Sequence, residues 1–285
     1  YLCINFNLPG QGPTRMRQRE DVKKANAKRI AWGIVMFFLL QIAGALVVAP
    51  FALGYYAIVG HSDAQVSAWL LAAAVLLGYV FVIRFFLKRR WTAIRWSPIA
   101  RADRLALCLL TVAMTIGFAL PETYASELLN LNDDLSGMFS LLSHNVLGTL
   151  AISIIGPIGE ELVFRGVVLK GLLRLSRRPW VAIVGSALIF GLVHMNPVQV
   201  FGASLMGLVM GWLYVRTGSL VPGIVMHVAN NSLSTALMLA FGDDFLLTQS
   251  IPSVGLNVAL CLAGCLLFAA TIRTLDRRLA RRIYI

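Results

Sequence analysis

Charge is what this sequence has least of. Only 13% of its 285 residues are Asp, Glu, Lys or Arg, and 58% are hydrophobic. Soluble domains carry about 25% charged residues and lack repeated apolar runs of membrane length, so an ordinary soluble fold is excluded. Cysteine is scarce as well. Cys3, Cys108, Cys261 and Cys265 form no CxxC pair, which removes the usual sequence signature of a zinc or redox site. Cys261 and Cys265 share a helical face in an apolar segment, as small packing residues do. An HExxH helix and an internal repeat of fixed period are both missing. The first 29 residues contain no apolar core of signal-peptide type, which leaves the first membrane helix as the expected targeting signal.

What is present is a series of apolar runs at 31–58, 66–87, 105–121, 145–169, 180–195, 198–215, 219–240 and 253–272. They predict an all-α, polytopic transmembrane bundle of about eight spans. The runs at 180–195 and 198–215 are short and are separated only by Met195-Asn196-Pro197, which reads as two helices joined by a tight turn, with one re-entrant pair as the alternative. The 25 Lys and Arg residues fall in 1–29, 84–104, 165–178, at Arg216 and in 273–282, that is, at alternate connections. The other connections carry Asp63, Glu122, Glu127, Asp133, Asp134, Asp243 and Asp244. Eight helices with both termini in the cytoplasm satisfy this pattern. The net charge of +12 therefore reads as a set of topology determinants, with no nucleic-acid partner implied. Arg95, Arg101 and the tail from Arg273 to Arg282 would lie on anionic headgroups.

Against this background, the stretch "GEELVFR" at 159–165 stands out. Each charge at mid-membrane opposes insertion by about 2.5–3.5 kcal/mol unless it pairs or faces a wet cavity. Glu160, Glu161, Arg165, His194, His227 and Asn231 make up nearly all the strongly polar residues of the spans. His61 and His144 lie at external helix ends, where solvation accounts for them. At 1.5 Å per residue, Glu160 lies about 15 Å from the basic edge, His227 about 12 Å and His194 about 21 Å. Three spans thus bring their polar residues to one level.

Spacing assigns roles. Glu161 and Arg165 are four apart on one face and can pair with each other. Glu160 is turned about 100° away, with Phe164 as its i+4 neighbour, and is the candidate general base. Phe190 and His194 share a face, as do His227 and Asn231. The bland alternative is a structural network: an ion pair, a helix-bridging histidine and a capped carbonyl. Pro157, between Gly156 and Gly159, predicts a bend that is either an ordinary kink or the opening of a pocket beside Glu160. Gly202, Gly207 and Gly211 mark a close-packing stripe.

The segments "EELVFR", "FGLVH" and "HVANN", in that order on successive spans, resemble the CPBP family of intramembrane proteases. That family includes the type II CAAX prenyl proteases and bacterial proteins of bacteriocin processing and immunity. The resemblance implies a catalytic core over 144–240, preceded by a basic segment (1–29) and three spans with an external loop (30–143). A last span with a basic tail (241–285) follows. It implies that Glu160 activates a water, His194 orients it, His227 and Asn231 donate to the oxyanion, and Glu161 and Arg165 support the geometry. The implied activity is cleavage of a membrane-associated or lipid-modified peptide, with the bilayer and that peptide as partners. The expected location is a multi-pass membrane protein, in the plasma membrane if the host is bacterial. No cofactor is expected. The alternative is Zn²⁺ held by Glu160, His194 and His227, since two histidines and a carboxylate form an open zinc site. Competing functions are a proton-coupled transporter, or a catalytically silent immunity or scaffold protein.

Overall fold

The computed structural model describes residues 13–60, 63–96, 99–176, 178–242 and 246–280. His61, Asp243, Asp244 and Cys3 lie outside the described residues. The helices are α1 (Pro13–Val59), α2 (Ala64–Lys88), α3 (Arg101–Leu128) and the short α4 (Ser136–Ser143). After them come α5 (Val146–Leu175), α6 (Pro179–Leu192), α7 (Pro197–Thr217), α8 (Val221–Phe241) and α9 (Val254–Ala280), with a single turn at Leu247–Ser250 before α9. There is no strand among the described residues, as expected where backbone groups must be satisfied within each segment.

Local chemistry sets the ends. Asp63 and Asn145 start α2 and α5 by accepting from the Val66 and Gly148 amides at 3.0 and 2.8 Å. Prolines occupy the first turns of α6, α7 and α8, where a missing N–H does no harm. Gly218, at φ +64°, closes α7 in the left-handed conformation.

Among the described residues, seven helices are long and apolar enough to cross a membrane. The fifth expected span is shorter. Helix α6 has 14 residues, about 21 Å, against a hydrocarbon core of about 30 Å. Its turn into α7 is pinned from outside. The fully buried Asn196 donates to Asp133 at 2.8 Å and accepts from the Asp134 amide at 3.2 Å, while the Val198 amide donates to the Asn132 carbonyl. Helix α3 runs past the expected end to Leu128, so Glu122 belongs to a helix and not to an external connection. Helix α1 likewise begins within the basic N-terminal segment.

Contacts at the helix ends sort into two sets. Arg216 pairs with Asp276, Arg278 lies 3.9 Å from Asp103, and Ser219 donates to the Arg95 carbonyl. These bonds gather the basic connections at one end. Asp133 meets Asn196, and Glu127 accepts from the Leu247 and Thr248 amides, at the other. The alternation read from charge is therefore present in the packing.

Helix α5 sits at the centre. It is 56% buried over its apolar window, against 17–33% for the other spanning helices, and it touches α1, α2, α6, α7 and α8. Leu46, Leu105 and Leu266 on the outer helices are more than half exposed, as lipid-facing side chains are. Two stretches of α5, Ala151–Ile155 and Phe164–Leu169, are wound as wider π turns. Such turns release carbonyls from the α ladder, and neighbouring helices supply donors. Asn231 of α8 donates to the Ile152 carbonyl at 3.0 Å, and Ser186 of α6 donates to the Phe164 carbonyl at 3.1 Å. Pro157 follows the first wide turn, where the ladder is already interrupted. Phe164 anchors the core between Phe37 and Phe190, at ring separations of 5.4 and 5.1 Å.

Candidate active site

The acids of α5 diverge as their 100° separation requires. Glu161 is fully buried and accepts from the Arg165 guanidinium at 2.6 Å, one turn on. Arg165 is 1% exposed, and its guanidinium carbon lies 4.2 Å from the centre of the Phe190 ring. That ring face takes the part of the guanidinium that has no hydrogen-bond acceptor. Glu160 points the other way. Its Oε1 accepts from the Tyr79 hydroxyl of α2 at 2.6 Å, which leaves Oε2 toward the imidazoles.

His194 lies in the turn just beyond α6, with Nε2 4.0 Å from Glu160 Oε2. Its Nδ1 is 2.8 Å from the Phe190 carbonyl, which can only accept, so Nδ1 carries a proton and Nε2 is the nitrogen turned toward Glu160. His227 of α8 is 2% exposed and stands between both acids. Its Nε2 is 3.7 Å from Glu160 Oε2, and its Nδ1 is 3.4 Å from Glu161 Oε1. The second contact falls short of hydrogen-bond geometry, and Nδ1 has no other partner. The rings of both histidines meet Phe190 edge-on at 5.0 and 5.5 Å. The expected side chains therefore come together from three helices. The separations around Glu160 Oε2 suit a small polar guest better than direct bonds.

Beside this cluster is a cavity of about 270 Å³, walled by His194, His227, Asn231, Glu122, Asn230 and Ser234 among others. It extends from the imidazoles toward the acidic end of the bundle, between α3, α7 and α8. One N–H of the Asn231 amide is committed to Ile152, and the amide has a second.

Residues 142–233 match the family model described as type II CAAX prenyl endopeptidase Rce1-like. This segment is similar to the CPBP, or Rce1-like, family. The matched segment contains Glu160, Glu161, Arg165, His194, His227 and Asn231. A Bacillus subtilis (strain 168) protein named "Putative membrane peptidase YdiL" is 30% identical over 98 residues. Those residues are 34% of this chain, which spans 40% of the length of that relative. No solved structure matches the chain.

Two contributors lie outside the matched segment and have no sequence motif. Tyr79 holds Glu160 from 81 positions away, and its only advance signal is a phenol in the middle of an apolar span. Glu122 reaches the cavity wall because Gly202 leaves room for it: a Cβ there would lie 2.5 Å from Glu122 Oε1. Gly207 and Gly211 perform the close packing expected of the stripe, against Ala187 and Ile183 of α6. Ser186 is spent on the Phe164 carbonyl, and Ser204 faces Gly191 and an apolar surface groove. His144 is exposed at a helix end, with Nδ1 2.9 Å from the Ser140 carbonyl.

The donor types of Glu160, His194 and His227 suit zinc chemically. Their separations of 3.7 and 4.0 Å exceed the roughly 3.4 Å between ligands 2.0–2.1 Å from a tetrahedral zinc ion. Among the described residues, no three such side chains are close enough to hold a metal ion. As it stands the arrangement is wider than a tetrahedral zinc centre.

Proposed function

We propose that the chain is an intramembrane endopeptidase that hydrolyses a peptide bond of a membrane-associated or lipid-modified substrate, with Glu160 as its general base. The observation that carries this reading is the convergence of Glu160 Oε2 with His194 Nε2 and His227 Nε2, at 4.0 and 3.7 Å, beside a polar-walled cavity. A water at this point gives one hydrogen to Glu160 Oε2 and the other to the His194 lone pair, which leaves its own lone pair directed at the substrate carbonyl. Glu160 takes the water's proton as the carbon–oxygen bond forms. It returns that proton to the amide nitrogen as the carbon–nitrogen bond breaks. His227, when Nε2 carries a proton, and the second N–H of Asn231 are the donors for the tetrahedral oxyanion; each is worth about 3–4 kcal/mol in a site shielded from water. Tyr79 fixes the other oxygen of Glu160, so that one lone-pair set faces the reaction.

The test is comparative proteomics of membranes carrying the wild type or Glu160→Gln. Peptide ends present only with the wild type, at equal protein levels, are the expected result. Retained cleavage in a folded Glu160→Gln protein would remove Glu160 as base.

A further inference from the structure

Four cations converge at the basic end with no acid among them. Arg29 of α1, Arg90 after α2, and Lys170 and Arg174 of α5 wall a separate cavity of about 210 Å³, together with Asn26 and Trp91. That volume is roughly seven times a water molecule's share of the liquid. Among the described residues, no carboxylate lines it. The charged groups that bear most on Lys170 are Arg174, Arg29 and Arg95, all of its own sign. Two acids of this end are engaged elsewhere, Asp276 with Arg216 and Asp103 with Arg278.

The walls are built to hold these charges together. The Arg29 guanidinium donates to the Trp91 carbonyl at 2.8 Å and lies 5.1 Å over the Trp91 ring. Arg174 reaches Asn26 Oδ1 at 3.5 Å. Arg90 occupies the left-handed region at φ +54°, the position after a helix end where glycine is usual, so an unfavourable backbone conformation is retained on a residue that supplies charge. Gly171 lets α5 approach α1: a Cβ there would lie 2.6 Å from Ile30.

We infer that this cavity binds a phosphate group, and that the phosphate is the headgroup of an anionic phospholipid. Several unopposed cations around a small polar volume call for an anion with several acceptor oxygens, and guanidinium groups pair with phosphate through parallel N–H donors. Depth selects the source. Lys170 lies ten residues beyond Glu160, about 15 Å along α5, which is half the hydrocarbon thickness from a group near mid-membrane. Trp91 beside it is the residue type favoured at that interface, and basic pockets between membrane helices at this level hold lipid headgroups. This inference does not depend on the proposed hydrolysis.

The experiment uses the full chain in phosphatidylcholine nanodiscs, titrated with phosphatidylglycerol and followed by native mass spectrometry and thermal unfolding. Parallel arms contain inorganic phosphate or glycerol phosphate without added anionic lipid. Saturable retention of phosphatidylglycerol and a rise in melting temperature are expected. Affinity should fall roughly fivefold for each pocket cation removed, as in Lys170→Gln with Arg174→Gln. The control pair Lys24→Gln with Arg178→Gln, exposed cations outside the pocket lining, should leave affinity unchanged. Arg90→Gly guards against a merely structural effect: relief of the left-handed backbone should preserve or raise stability in phosphatidylcholine while lipid affinity drops. Equal losses in the control pair, or non-saturable binding in the wild type, would overturn the site. Stabilisation by inorganic phosphate equal to that by lipid would overturn the headgroup assignment.

Discussion

Removing Arg165 alone should be far more damaging than removing it together with Glu161. The two are 1% and 0% exposed and 2.6 Å apart, so truncating the cation leaves a carboxylate sealed in the bundle. A second basic group beside that carboxylate, His227 Nδ1 at 3.4 Å, is not hydrogen-bonded to it. Breaking a buried pair in this way costs about 3–5 kcal/mol, whereas exchanging both partners for apolar residues of similar volume is often neutral. Arg165→Leu is therefore expected to lower the folding equilibrium by roughly 10²- to 10⁴-fold. Glu161→Leu should have a comparable effect, and the double substitution should recover most of the loss. The measurement is a double-mutant cycle on unfolding in bilayers or mild detergent, read by reversible denaturation. Hydrogen bonds between membrane helices average only about 0.6 kcal/mol by the same method. A coupling energy at or below that value would refute the claim that this pair is an isolated buried charge couple.

Three other outcomes follow from the geometry. Tyr79→Phe removes a hydrogen bond to a carboxylate, worth about 1.5–3 kcal/mol, and should slow peptide cleavage by roughly 10- to 100-fold while the protein stays folded; unchanged turnover would show that Glu160 is held by other groups. Gly223→Ala places a Cβ 2.7 Å from Glu161 Oε2 and should destabilise by about 1–3 kcal/mol, whereas Gly54→Ala, with nothing within 4 Å, should be neutral or slightly stabilising; equal melting temperatures would contradict this. Asn231→Ala should cost about 1–3 kcal/mol of stability by orphaning the Ile152 carbonyl, and a further 10²- to 10³-fold in turnover as a lost oxyanion donor; a variant that loses stability alone would assign Asn231 to the wide turn only.

The residues that meet around Glu160 were legible because polar groups are expensive inside a bilayer and must be arranged to offset that expense. Spacing alone separated Glu161, which faces Arg165, from Glu160, which does not. Tyr79 was not legible, since its partner lies on another helix and a single phenol in an apolar span is unremarkable. The wide turns of α5 were equally hidden. They depend on donors from Asn231 and Ser186 that only tertiary packing supplies, and helix propensity carries no trace of them. Glu122 was misread because a charged residue at the end of an apolar run looks like a boundary. Its place inside α3 is made acceptable by the missing side chain of Gly202, a compensation between helices that a linear reading does not contain.

The short α6 has a consequence for the surrounding lipid. Trp180, Leu188, Leu192 and Met195 are about half exposed or more, so this helix and its tip form part of the outer wall. A wall about 9 Å lower than the acyl layer beside it forces the leaflets to pinch inward there, or lets water follow the polar turn down to His194. Membranes with shorter chains relieve that mismatch and those with longer chains aggravate it, so acyl length itself becomes a control on how freely solvent reaches the histidine.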